Sequence, residues 1–411
     1  MYAIHVFDTT TEHDNKRLNE YNEPWVSYTL QTELVDYNKT EEEKEQDELY
    51  APLTFEILTD GTLWWSNFTA DTSYAKTIEY KLNDGEWTSI TSANRGSAPG
   101  FNVVAGDIVQ FRGNNPYYGA YDNGPCSRFS GTCEYNIKGN IMSLINSTDF
   151  ASLKTLVSNY TFVRLFTGTY VKDASRLKLP ATALTEYCYF ALFIGCPLLT
   201  AVPELPAARL ASNCYRGMFG NCPSLTTIPA ILPATTLTNY CYAYMFQNCG
   251  ALTMTPELPA TELVGNCYEG MFFGCTNITD APALPSTTLA QGCYQYMFSG
   301  CTSLVVAPEL PATTLAEGCY NTMFANCTSL ATAPELPATT LASTCYRRMF
   351  SGCTNLNYIK CLATNITAAD CTIDWARGVA STGTFVKNAS MSSWATGYNG
   401  IPEGWTTQNA A

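Results

Sequence analysis

The chain has 411 residues, 46% hydrophobic and 13% aromatic, with 22 Lys and Arg against 36 Asp and Glu, for a formal net charge of −14. That much apolar material excludes a disordered chain and suggests two or three domains. The acidic balance excludes a basic surface for nucleic acid or anionic lipid, and no run of about 18 apolar residues predicts a membrane span.

Residues 1–50 read as an N-terminal arm. The opening MYAIHVFDTTTEHDNKRLNE has no basic segment followed by an apolar one, so no ordinary secretory signal is predicted. Scattered apolar positions (Val6, Phe7, Trp25, Val26, Tyr28, Leu30) precede a charged run from Asn38 to Glu48. That run is either a solvated linker or short helix, or part of an attachment arm onto a larger assembly.

Residues 51–137 predict a small β-sandwich. Thr54 to Leu58, Thr62 to Asn67, Thr77 to Leu82, Trp87 to Ile90, Phe101 to Val104 and Ile108 to Phe111 are short and rich in β-branched or aromatic residues. Asp60-Gly61, Asn83-Asp84-Gly85 and Gly106-Asp107 separate them as turns. Cys126 and Cys133 are close enough in sequence to pair. Residues 138–159 read as an amphipathic connection that caps the repetitive segment beginning near residue 160.

From 160 to 356 the chain repeats itself. A Cys-Tyr pair recurs at Cys188, Cys214, Cys241, Cys267, Cys293, Cys319 and Cys345, in steps of 26 or 27. A second cysteine lies eight places later, at Cys196, Cys222, Cys249, Cys275, Cys301, Cys327 and Cys353. A fixed period of this size predicts a solenoid in which each unit buries its face against its neighbours. In the last copy Leu341, Cys345 and Met349 are spaced i, i+4, i+8, with Tyr346 and Phe350 one place further round, which predicts one helix face. The residue before each second cysteine is always Gly or Asn, as a helix C-terminus requires. A degenerate first copy places Thr161, Phe162, Leu165, Phe166, Gly168 and Thr169 in register with Cys188 to Cys196. Residues 357–411, with Thr384 to Lys387, Trp394 and Trp405, read as a C-terminal cap.

These LP…L…CYxxMFxxCxSLxxAPELP units resemble the BspA-type leucine-rich repeats of bacterial surface proteins, over about half the chain. The closing GTFVKNASMSSWATGYNGIPEGWT and the opening PLTFEILTDGTLWWSNF are similar to segments beside such repeats in proteins of gut bacteria and their phages. The resemblance implies a mixed α/β leucine-rich-repeat solenoid of about eight turns, and a role in recognition or adhesion.

Composition limits the chemistry. The two histidines, His5 and His13, lie in the arm, so a Ser-His-Asp or Cys-His arrangement and a zinc site with His are excluded from the body. The cysteines are spaced by eight rather than as CxxC, so no metal and no cofactor is predicted. On a helix, five steps cover roughly 7–8 Å, whereas disulfide Cα atoms lie at most about 7 Å apart. Two columns of buried reduced thiols are therefore expected within the repeats, acting as small apolar residues. A glycosidase needs two carboxylates, but Glu204, Glu257, Glu309 and Glu335 share one repeat position, which reads as structural.

Two candidate surfaces emerge. The positions flanking Cys-Tyr vary between copies and would align into an outward stripe carrying Tyr187, Arg216, Tyr240, Tyr244, Tyr296, Arg347 and Arg348. Tyr and Arg are enriched at binding hot spots, although exposed positions also drift freely. A loop of the sandwich carries Tyr117, Tyr118 and Tyr121, which could stack on sugars. The expected function is non-enzymatic recognition of a bacterial-surface protein or glycan. A phage virion fibre or decoration protein, folded in the host cytoplasm and attached through residues 1–50, is favoured over a bacterial cell-surface adhesin. A carboxylate-dependent glycan-active enzyme is a distant third.

Overall fold

The computed structural model describes residues 40–68, 74–94, 97–120, 124–392 and 394–410. The features assigned to residues 1–39, including His5 and His13, lie outside the described residues, as does Tyr121. The chain divides into two compact units, Met1–Asp47 and Glu48–Ala411. The charged run forms helix α1 (Glu41–Tyr50). It starts with a capping box, in which Thr40 N–H donates to Glu43 Oε2 at 2.8 Å and Glu43 N–H donates to Thr40 Oγ1 at 3.2 Å.

In the larger unit, β1 (Leu53–Ile57), β2 (Gly61–Asn67), β3 (Thr77–Leu82), β4 (Thr88–Thr91), β6 (Gly100–Val103) and β7 (Ile108–Gly113) lie where the β-branched and aromatic runs predict strands. The short β5 (Ala93–Asn94) and the more polar β8 (Ser127–Gly131) and β9 (Tyr135–Asn140) carry no such signal. Neither does β10 (Val171–Lys178), which sits inside the first repeats. One sheet runs β10-β9-β1-β7-β3-β4; the other runs β5-β2-β6, with β8 also on β2. Alternate residues of β7 point inward, Val109 and Phe111 among them. Phe55 stacks on Tyr135 at 4.4 Å and meets Phe111 at 4.7 Å and Phe129 at 5.0 Å. The packing continues into the repeats, since Phe129 stacks on Phe166 at 5.5 Å and Phe166 on Phe193 at 4.9 Å. Between them, the connection forms two short 3-10 turns, Ile141–Leu144 and Phe150–Ser152.

The repeats do not fold as helices. In the copy around Cys267, the N–H groups of Asn266, Tyr268, Gly270, Phe272 and Gly274 donate to carbonyls of the following copy at 2.8–3.1 Å. The alternate N–H groups, of Cys267, Glu269, Met271, Phe273 and Cys275, donate three residues back within their own copy at 3.0–3.3 Å. Every fourth residue is left-handed, with φ of 56° at Asn266, 56° at Gly270 and 71° at Gly274. Each copy thus contains three successive tight corners, and half of the amides along that stretch tie it to its neighbour. An α-helix would instead have consumed them internally.

The mixed α/β leucine-rich-repeat solenoid expected over 160–356 is therefore not what the chain forms. The strands belong to several sheets, α1 is the only α-helix among the described residues, and none lies in the repeats. The misreading has a simple origin. A corner every four residues buries i, i+4 and i+8 just as a 3.6-residue helix would, so Cys345 and Met349 are buried either way.

What the copies share is a pair of aromatic columns. Tyr189, Tyr215, Tyr242, Tyr268, Tyr294, Tyr320 and Tyr346 stack ring on ring at 5.8–6.2 Å. Phe193, Phe219, Phe246, Phe272, Phe298, Phe324 and Phe350 do so at 5.7–5.9 Å. Trp375 terminates both, 6.2 Å from Tyr346 and 6.3 Å from Phe350, and stacks on Trp394 at 5.6 Å. Around it, β11 (Tyr358–Cys361), which precedes Trp375, and β12 (Thr384–Lys387) and β13 (Thr406–Asn409), which follow it, pair in parallel.

Candidate recognition face

The corner geometry sets which side chains face out. In the last copy Cys345-Tyr346 and Met349-Phe350 are buried, while Arg347-Arg348 and Ser351-Gly352 are not. In other copies the equivalent outward positions are partly closed, since Phe190, Ala191, Ala243 and Glu269 are buried, so the variable positions form an outward face only in part. Tyr187, Tyr240, Tyr244, Tyr296 and Arg348 occupy left-handed corners, with φ between 53° and 59°. Such φ values are costly for large L-residues, about 1–2 kcal/mol each, and the inter-copy hydrogen bonds hold them.

The seven predicted residues fall into separate groups rather than one free stripe. Tyr187 stacks on Tyr160 at 4.9 Å and meets Phe190 edge-on at 5.7 Å. Arg216 donates to Asn213 Oδ1 at 3.2 Å, and its guanidinium lies 5.2 Å from the Tyr240 ring centroid. Tyr244 donates to Glu269 Oε1 at 2.7 Å, and Asn266 donates to the other oxygen at 3.2 Å. Glu269, which follows Cys267-Tyr268 at one of the variable positions, is not exposed but a buried carboxylate pinned beneath the face. Burial, reinforced by the bond to Glu269, pushes the Tyr244 phenol well above its ordinary range. Tyr296 and Arg347 are half-buried, whereas Arg348 is exposed.

At the C-terminal end the face opens into a polar cleft of about 340 Å³, lined by Ser299, Thr322, Ala325, Asn326, Arg348, Ser351, Asp374 and Arg377. Arg348 Nε lies 3.6 Å from Asp374 Oδ2. The Asp374 backbone is fixed to the next loop, where its N–H donates to Asn399 Oδ1 at 2.7 Å. The Arg377 guanidinium lies 5.7 Å from the Tyr398 ring centroid. Of these residues only Arg348 stood out in sequence. A usable signal was present, because Asp374 and Arg377 lie 26 residues beyond Arg348 and Ser351.

The sandwich loop is corrected in part. Tyr118 is fully buried and donates to Leu144 O at 2.6 Å, so it is a core residue that cannot stack on a sugar. Tyr117 is half-buried beneath Lys76, whose Nζ lies 3.9 Å from its ring centroid. With Tyr74, Val157 and Tyr160 it lines a shallow cavity of about 450 Å³.

All 18 cysteines are free and buried, Cys126 and Cys133 included. The second thiol of each copy does more than fill space. Cys222, Cys249, Cys275, Cys301, Cys327 and Cys353 each donate to the carbonyl of the Phe in the preceding copy at 2.9–3.2 Å. Cys196 does the same to Phe166 O at 3.1 Å. Burial pushes these thiols up, Cys301 and Cys353 to about 12. Among the described residues no three His, Cys, Asp or Glu are grouped to hold a metal, and no helix is long and apolar enough to cross a membrane. No family model, curated protein or solved structure matches the chain.

Proposed function

We propose that the chain is a non-enzymatic recognition protein that binds a bacterial-surface protein or glycan through its outward face. The observation carrying this reading is the set of Tyr and Arg side chains held at left-handed corners of the outward face, a costly backbone for large L-residues, with Arg348 exposed and Tyr240, Tyr244 and Tyr296 only half-buried. Rigid aromatic and guanidinium groups bind with little ordering entropy, as hot-spot residues do. The preferred setting is a phage virion, as a fibre or decoration protein attached through residues 1–50; the 18 free, buried thiols suit folding in a reducing cytoplasm. A bacterial cell-surface adhesin is the second reading.

The test is binding of fluorescent full-length protein to intact gut bacterial cells. Beside it runs a variant with Tyr187, Arg216, Tyr240, Tyr244, Tyr296, Arg347 and Arg348 changed to Ala. Parent binding that the folded variant loses supports the face. Equal binding by both refutes it. Detection of the chain in purified virions by mass spectrometry separates the phage setting from the adhesin.

A further inference from the structure

We propose that the C-terminal cleft of the face is a subsite for one acidic sugar residue, a hexuronate unit of a glycan, with its carboxylate on Arg377. The inference rests on the outward face being a recognition surface, and adds its ligand class.

Three observations converge. First, charge is concentrated here on an otherwise acidic chain. No Lys or Arg occurs between Arg216 and Arg347, yet Arg347, Arg348 and Arg377 fall within two neighbouring copies. Second, the two cleft arginines are not equivalent. Arg348 is drawn to Asp374, 3.6 Å away, whereas among the described residues no carboxylate is ion-paired with Arg377. Its planar fork is left to accept a carboxylate in bidentate fashion, which a Lys would not do. Third, the rest of the lining suits sugar hydroxyls. Asp374 can accept from two of them, Asn326 can both donate and accept, and Ser351 adds a hydroxyl. Tyr398, 63% exposed beside Arg377, offers an apolar ring face to the sugar C–H groups.

The size agrees. A cleft of about 340 Å³ is at the small end of ligand sites, roughly 300–1,000 Å³, with room for one ring and its water rather than a chain. The walls are also held in place. Asn326 lies across Gly352, where an added Cβ would collide with its Oδ1, and Asp374 sits at a left-handed corner with φ of 51°. The lining residues Thr322 and Arg348 occupy the same kind of corner, φ 60° and 53°.

The test is calorimetric titration of the full chain with D-glucuronate, D-glucose and inorganic sulfate, repeated on Arg377→Gln and Asp374→Asn. Glucuronate should bind at least tenfold more tightly than glucose. Arg377→Gln should weaken glucuronate at least tenfold, about 1.4 kcal/mol, and leave the melting temperature in place because the side chain is exposed. Asp374→Asn, which also releases Arg348, should weaken glucuronate relative to sulfate. No glucuronate binding, equal binding of glucose, or an unaffected Arg377→Gln variant overturns the proposal. Sulfate binding as tightly as glucuronate overturns it too, by reducing the cleft to an anion contact. The outcomes are separable from the broader reading. Cell binding lost in the seven-residue variant but unchanged in Arg377→Gln leaves the face standing without this subsite. Glucuronate binding without any cell binding removes the face's proposed role instead.

Discussion

Replacing Trp375 by Ala should unfasten the C-terminal end of the stack while leaving the rest intact. Its ring is fully buried, closes both aromatic columns, stacks on Trp394, and donates from Nε1 to Gly400 O at 2.8 Å. Burying roughly 200 Å² of indole at about 25 cal/mol per Å² contributes about 5 kcal/mol. Measured aromatic truncations cost about 3–5 kcal/mol because the cavity relaxes only in part. The inter-copy amide bonds run between adjacent copies, so the loss should fall on local opening rather than on the whole chain. A local cost of about 4 kcal/mol corresponds to about a thousandfold faster amide exchange. The amides to follow are Thr384, which donates to Asn357 O at 2.8 Å, and Thr406, which donates to Gly383 O at 2.8 Å. Tyr189 and Tyr215, bonded to Cys214 O and Cys241 O, serve as distant controls. Hydrogen exchange read by mass spectrometry decides the matter. Acceleration below tenfold at Thr384 and Thr406, or equal acceleration at the controls, would refute the terminal role of Trp375. Trp375→Phe, which keeps a ring and loses the hydrogen bond, should fall between.

The buried polar groups lead to two further outcomes. The thiols of Cys188, Cys249, Cys301 and Cys353 are pushed by burial from an ordinary 9.0 to about 12. Between those values the folded chain holds protons that the unfolded chain has released, so stability is full below pH 9 and declines as pH rises towards 12. The urea midpoint should therefore be flat from pH 7 to 9 and drop steeply above it; a midpoint unchanged at pH 11 contradicts the burial of neutral thiols. Tyr244→Phe removes one of two donors to the buried Glu269 carboxylate. It should lower unfolding free energy by about 1.5–3 kcal/mol, the usual worth of a hydrogen bond to a charged group, and an unchanged urea midpoint would mean that solvent replaces the phenol.

The repeat was legible because it is written in identities. Cys-Tyr, Met-Phe and the second cysteine recur at one period, and those residues are the ones that stack and bury in the structure. The backbone joining them was not legible. The spacing of Leu341, Cys345 and Met349 fits a helix and a series of four-residue corners equally, and side-chain periodicity carries no record of where amides point. One local hint existed. Gly or Asn before each second cysteine marks a left-handed residue, but the equivalent corners at Tyr244, Tyr296 and Arg348 carry side chains that normally avoid that conformation. Only the hydrogen bonds from neighbouring copies make them tenable.

The candidate face divides along the same line. Sequence alone determined which positions vary, and therefore where Tyr and Arg collect, because the core positions of each copy are held to one residue type by stacking. Tertiary structure alone decided which of those side chains are available. It seated Tyr244 on Glu269, folded Tyr118 into the core and brought Arg377 and Asp374 beside Arg348 from a copy in which Met-Phe no longer appears. The physical reason is that the deciding partners of Tyr244, Tyr118 and Arg348 lie 25 or 26 residues away. A pattern read along one chain sees the period of the copies but not the contacts between them.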